Sequence, residues 1–367
     1  MPQQGSETCM VRIAHISDSH LGSSMFQLAE RREDARQCFK KAMDMAMRKS
    51  PDMIIHTGDL YHESLPQNDD RNFVVKTFKK FKDKVDIFVL QGNHDHPYGY
   101  RYSQSPLIGL ETMGLIVSTG EKAYRGFKKT YDGKSVEIHL LSWTTERMLD
   151  HALHTLQPKE DIALFFAHDL PRQGEDLPVT FDYYGCGHKH TFKLDKENNV
   201  GRPGSTCYVR WETEYRGSKK LIVVDVDSSG CEYDVQSLND VRGFKFVPPV
   251  NISKMGPEQA DMAIKDSLDK LSPKEKSIII LQVNGIIDSE TEIKMERAKV
   301  LQYGEKKHKP LFLHIAANWQ CSVSEDIKFS QPLDVEKSVE EYLDFTDDSF
   351  KDRVKSILSK FFGGSKV

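Results

Sequence analysis

The chain has 367 residues, 38% hydrophobic and 29% charged, with a formal net charge of −4. These values suit a soluble globular protein with room for one large domain or two to three smaller ones. No run of about 18 apolar residues occurs, so a membrane span is not expected, and any nucleic-acid footprint must be a local basic patch.

The opening stretch, Met1 to Ser6, has no charged segment followed by an apolar one, and the six cysteines form no CxxC pair. Both features point to a cytoplasmic chain with reduced thiols, and the second argues against zinc-ribbon sites. Val11 to Ser17 alternates around Ile13 and Ile16 and predicts a strand running into Asp18-Ser19-His20-Leu21-Gly22. Apolar Ala35, Cys38, Phe39, Ala42, Met43 and Ala46 predict a helix over 28–48, ended by Pro51. Residues 52–56 read as a second buried strand leading into Thr57-Gly58-Asp59-Leu60-Tyr61-His62, with His56 a core residue inside the strand. A second amphipathic helix is expected over 69–84, with Phe73, Val74, Phe78 and Phe81 inward and its lysines in solvent. A third buried strand, 85–90, feeds Gly92-Asn93-His94-Asp95. This alternation of strand and helix implies parallel strands with right-handed crossovers.

Past about residue 115 the pattern shifts to short strands at 136–141, 162–167 and 221–226. The middle one ends in His168-Asp169, and Tyr183 to Gly187 leads into His188-Lys189-His190. Residues 201–217 read as a turn-rich loop. From about 245 the composition changes, and Pro248-Pro249 reads as a linker boundary. A small α+β unit follows: helix over 257–271, strand over 278–283, helix over 291–301 and strand over 311–315. Residues 321–333 read as a linker, and 338–362 are helical by pattern. The expected division is 1–245, 246–320 and 321–367.

Twelve of the 14 histidines precede residue 191, and the predicted strands repeatedly end in an acid, an Asn or a His. Collected, these groups are Asp18, His20, Asp59, His62, Asn93, His94, His168, His188 and His190. Mixed nitrogen and oxygen donors suit manganese, iron or zinc better than calcium. The set is too large for one ion and large enough for two, and a carboxylate can bridge ions about 3.5–4 Å apart, as in two-metal hydrolases. No P-loop, GxGxxG, GxSxG or catalytic-cysteine signature is present, which removes support for nucleotide-driven phosphoryl transfer, hydride transfer and acyl-enzyme chemistry.

The order D-x-H, G-D, G-N-H-D, H, G-H-x-H, spanning Asp18 to His190, resembles that of the calcineurin-like metallophosphoesterases. Residues 12–22, His62, Ser105-Pro106-Leu107 and Pro203-Gly204-Ser205 further resemble the SbcD / Mre-eleven class of DNA double-strand-break repair nucleases. The resemblance implies an α/β four-layer metallophosphoesterase sandwich, two mixed sheets flanked by helices, with a small α+β DNA-capping domain and a C-terminal helical tail. It implies one metal held by Asp18, His20, Asp59 and His190, and a second held by Asp59, Asn93, His168 and His188. In it His94 stabilises the transition state and protonates the leaving oxygen, and His62 orients the substrate phosphate. The implied activity is manganese-dependent, 3′-to-5′ exonuclease on duplex DNA and endonuclease on single strands. The implied assembly is a homodimer with an SMC-like ABC ATPase of the Rad-fifty / SbcC type.

Two further segments carry expectations. Tyr100, Arg101 and Tyr102 follow the GNHD block and are candidates to stack on bases or brace a backbone phosphate, with Lys122, Arg125, Lys128 and Lys129 a second basic candidate. Phe350, Val354, Ile357, Leu358 and Phe361 recur at helical spacing and would form an apolar face for the ATPase coiled coil. The alternatives are another calcineurin-like phosphoesterase, acting on cyclic nucleotides or phosphoproteins, and a non-catalytic scaffold on the same fold.

Overall fold

The computed structural model describes residues 10–97, 104–170, 177–178, 181–214, 217–227, 229–272 and 276–322. Tyr100, Arg101, Tyr102 and the helical face from Phe350 to Phe361 lie outside these residues. The chain divides into two compact units, the first built on residues up to Phe246 and the second holding most of 247–322. Among the described residues no helix is long and apolar enough to cross a membrane.

The first unit opens with β1 (Val11–Ile16), α1 (Ala29–Arg48), β2 (Met53–His56), α2 (Asn68–Lys79), β3 (Asp86–Val89) and α3 (Pro106–Thr112). It continues with β4 (Tyr124–Tyr131), β5 (Lys134–Leu141), α4 (Glu146–Thr155), β6 (Ile162–Ala167), β7 (Tyr183–Gly185), β8 (Lys193–Asp195), β9 (Val200–Arg202), α5 (Trp211–Glu214), β10 (Lys220–Asp227) and β11 (Gly230–Ser237). Two mixed sheets result, in the orders β11-β10-β1-β2-β3 and β4-β5-β6-β7-β9-β8. β1, β2 and β3 pair in parallel, with β10 antiparallel to β1, while β5, β6, β7 and β9 are parallel in the other sheet.

Side chains alternate across a strand, and the packing uses both faces. Ile13, Ile55 and Phe88 of the first sheet meet Ile138, Leu164 and Phe166 of the second in one buried cluster. On the outer face of the first sheet, Ala14, Ile54 and Val89 pack on Phe39, Met43, Val74 and Phe78 of α1 and α2. On the outer face of the second, Ala163 and Phe165 meet Leu149 and Leu153 of α4. The result is a helix–sheet–sheet–helix sandwich, in which each fully buried Phe or Ile contributes roughly 1.5–3 kcal/mol. The C-terminal ends of β1, β2, β3, β6 and β7 carry the residues singled out by the sequence, which is where α/β sheets place ligands.

The remaining elements are β12 (Phe244–Asn251), α6 (Pro257–Asp269), β13 (Ile278–Ile287), α7 (Ser289–Lys294), α8 (Arg297–His308) and β14 (Phe312–Cys321). Three expectations need correction here. Pro248-Pro249 is not a linker: both prolines lie within β12, the edge strand of the order β12-β13-β14, and both are exposed. An edge position tolerates proline because no ladder partner needs its missing N–H. The helix expected over 291–301 is two helices, α7 and α8, broken at Met295-Glu296, where Met295 takes an extended ψ of 132° and Asp261 accepts the Glu296 amide at 2.9 Å. β14 runs on to Cys321, past the strand end expected at 315 and into the expected linker.

Candidate metal centre

Two loops lock together before any side chain is considered, and one carboxylate adds a third. The amides of Asp18, His20 and Leu21 donate to the carbonyls of Gly58, Asp59 and Leu60, each at 3.0 Å. The buried Asp95 carboxylate then accepts the amides of Leu60, Tyr61 and Gly92 at 3.0–3.2 Å, stapling the loop after β2 to the loop after β3. Burial, with the Asp59 charge nearby, pushes the Asp95 carboxyl up to about 7. Two glycines let these loops approach. Gly58 holds φ at +104°, and a Cβ there would lie 2.3 Å from His168 Nδ1. A Cβ on Gly92 would lie 2.1 Å from Asp59 Oδ1. Asp18, His20, Asp59 and His188 all hold positive φ, between 45° and 65°. Side-chain-bearing residues rarely adopt that conformation, and where they do it marks a locally over-determined site.

The side chains on these loops converge. Asp18, His20 and His190 bring one donor atom each within 4.8 Å of one another, and so do Asp59, His168 and His188. Asn93 Oδ1 completes the second group, 3.0 Å from His168 Nε2 and 3.1 Å from His188 Nδ1. Asp59 joins the two groups: its Oδ2 is 3.7 Å from His20 Nε2 and 3.4 Å from His168 Nε2, while its Oδ1 accepts the His94 amide at 2.8 Å. Asp18 Oδ1 likewise accepts the His188 amide at 3.0 Å.

The charge and tautomers suit cation binding. Burial and the neighbouring imidazoles hold His20 well below its ordinary value, so it is neutral. Burial raises the Asp59 carboxyl, but the imidazoles of His168, His20 and His94 outweigh it and leave the group below the usual range. His168 shows the reverse, since burial opposes its charge but the Asp59 and Asp18 carboxylates lift it to about 9. In effect the cluster draws in a positive charge. His168 Nδ1 donates to the Thr57 carbonyl at 2.8 Å, so Nε2 turns its lone pair to the donor cluster when the ring is neutral.

His62 and His94 sit beside these groups. Their rings stack at 5.2 Å and 19°, His94 Nδ1 donates to the His62 carbonyl at 2.7 Å, and His62 Nδ1 is 3.3 Å from His20 Nδ1. All nine residues collected from the sequence therefore meet at one place. His56 is buried in β2 with its Nε2 2.9 Å from Ser19 Oγ, a core position as expected.

Sequence reasoning missed Glu214. It is the last residue of α5, inside the loop read as turns, and its side chain is fully buried. Its Oε1 accepts from His190 Nδ1 at 2.7 Å and from the Arg210 amide at 2.7 Å, and its Oε2 meets the buried Lys219 ammonium and Ser205 Oγ. The carboxylate fixes the His190 tautomer so that Nε2, 2.9 Å from His20 Nε2, offers a lone pair. Its only sequence signal is an acid shortly after Pro203-Gly204-Ser205, shared with Glu212, which is exposed. The Lys122–Lys129 candidate weakens, because Arg125 pairs with Glu111, Lys128 with Glu160 and Lys129 with Asp86.

A family model of the calcineurin-like phosphoesterases matches residues 11–310. The chain is 31% identical over 267 residues to the DNA double-strand break repair protein Mre11 of Sulfurisphaera tokodaii, covering 67% of each chain. It is 30% identical over 232 residues to that of Saccharolobus solfataricus, covering 58% of each chain. To that of Thermoplasma acidophilum it is 28% identical over 308 residues, covering 76% of this chain and 78% of the relative. The matches therefore span between 58% and 78% of these relatives' lengths.

Proposed function

We propose that this chain, which belongs to the calcineurin-like phosphoesterase family and within it to the Mre11 group, is a dinuclear-metal DNA nuclease acting at double-strand breaks. The observation that carries the reading is the Asp59 carboxylate, with one oxygen facing an imidazole of each donor group at 3.7 and 3.4 Å. The donors fit two divalent ions: Asp18, His20, His190 and Asp59 would hold one, and Asp59, Asn93, His168 and His188 the other. Two such ions, when bound, activate a water and neutralise phosphate charge. The soft-to-hard mix of imidazole, amide and carboxylate favours manganese.

The chain's own residues do the rest. His94 lines the cavity over the donors, with its Nδ1 committed to the His62 carbonyl, so Nε2 is the nitrogen free to deliver a proton to the leaving oxygen. His62, stacked on His94, would contact a non-bridging phosphate oxygen and keep the His94 ring in register. Asp95 holds the Asp59 and His94 loops at fixed separation and touches no substrate.

In this reading the finer activities are 3′-to-5′ exonuclease on duplex DNA and endonuclease on single strands. The residues after 246 cap the DNA, and the chain works as a homodimer with an SMC-like ABC ATPase. The test is digestion of linear duplex DNA labelled at the 3′ end, with manganese, magnesium or EDTA. Manganese-dependent release of 3′ nucleotides is expected. No DNA degradation, with turnover of bis-p-nitrophenyl phosphate intact, would move the protein to another phosphoesterase substrate; neither activity would leave the scaffold reading.

A further inference from the structure

The cavity lined by Asp59, Asn93, His94, His188 and His190, of about 300 Å³, is also lined by Lys189, Thr191, Arg210 and Thr213. Lys189 and Arg210 are exposed, and neither forms an ion pair among the described residues. Nearby cations behave differently: Lys219 is buried against Glu214, and Arg31 against Asp34. Two exposed cations without an ion pair among the described residues, lining a histidine-rich cavity in a chain of net charge −4, are a local feature that calls for an anion.

Their placement is fixed relative to the donors. Lys189 stands between His188 and His190 in the chain. The Arg210 amide donates to Glu214 Oε1 at 2.7 Å, the same oxygen that accepts from His190 Nδ1 at 2.7 Å. One buried carboxylate thus references both a metal-binding imidazole and the root of the guanidinium. The side chain itself is free to reach.

We infer that Lys189 and Arg210 are a phosphate-binding pair that holds the DNA backbone next to the scissile phosphodiester. This rests on the nuclease reading above and deepens it, since the pair would distinguish a polymeric substrate with adjacent phosphates from a small diester with one. A guanidinium presents a planar fork that can bind phosphate in bidentate fashion, and the ammonium adds a point charge.

The test uses the full-length chain in EDTA, where a metal-dependent nuclease leaves the DNA intact, with a fluorescent duplex titrated across a salt series. Each phosphate neutralised contributes about 0.9 to the slope of log K against log salt. Arg210→Gln and Lys189→Gln should each lower the steepness by about 0.9 and weaken binding at low salt, while Arg210→Lys should keep the slope. A metal titration of each variant should match the parent. Parent-like slopes in both Gln variants would overturn the inference. So would loss of metal affinity in step with DNA affinity, which would make the pair structural. Failure of the unmodified chain to bind or degrade DNA would instead refute the nuclease reading.

Discussion

Glu214 Oε1 lies 2.7 Å from His190 Nδ1, and this hydrogen bond connects a short helix with no recognisable motif to a proposed metal ligand. The carboxylate is held low, to about 2: burial works against it, but His190 and Lys219 outweigh burial. It therefore stays ionised and holds the imidazole with its Nε2 facing His20 Nε2 at 2.9 Å. Glu214→Gln should retain a hydrogen bond and lose the charge, lowering metal affinity at the His190 site roughly 10- to 100-fold. It also strands the buried Lys219 ammonium, so thermal stability should fall. The double variant Glu214→Gln, Lys219→Met separates the two effects: the melting temperature should recover and the metal affinity should not. Wild-type calorimetric titrations in the single variant would refute the positioning role.

His94→Ala should keep both ions and lose turnover by about 10²–10⁴-fold, the usual worth of a placed general acid. The check is metal stoichiometry alongside nuclease rate. Loss of one ion would make His94 a ligand.

Asp59→Asn should weaken both sites together, because Asp59 Oδ2 faces both groups of imidazoles. His20→Ala should weaken the site it shares with Asp18 and His190 and spare the other. Two-site fits to metal titrations decide this; matching losses in the two variants would contradict the bridge.

Gly92→Ala should disturb the centre although the new group is a single methyl, because that carbon would sit 2.1 Å from Asp59 Oδ1 and 2.4 Å from the Asp59 amide nitrogen. Metal affinity at both sites should drop. Gly109→Ala is the control: it lies in α3 with nothing within 4 Å, and should stabilise the fold by about 0.5–1 kcal/mol. Metal binding by Gly92→Ala equal to that of Gly109→Ala would show that the loop yields.

Deletion of residues 334–367 tests the proposed ATPase contact. The truncated chain should retain manganese-dependent nuclease activity and lose co-purification with the ATPase, and Ile357→Glu with Phe361→Glu should do the same because a buried unpaired charge is costly. Tight ATPase binding by the truncated chain would place the contact elsewhere.

Residue types and spacing alone determined the three opening strands, the helices α1 and α2, and nine side chains bound for one site. They could do so because each strand is rich in Val, Ile, Phe or Met, each helix has a 3.6-residue apolar period, and each donor follows a strand end. Periodicity is a local property and is written in the chain. Tertiary structure decided what depends on partners far apart. It placed Pro248 and Pro249 in β12, because only sheet order makes that strand an edge. It chose Glu214 over Glu212, because a four-residue helix turns one inward and leaves the other in solvent. It also paired Arg125, Lys128 and Lys129 with Glu111, Glu160 and Asp86, and left Lys189 and Arg210, among the described residues, without an ion pair beside the donors. A single chain records which groups are ionisable. Which of them find a counter-charge is set by contacts between residues distant in sequence, and only the packed fold brings those together.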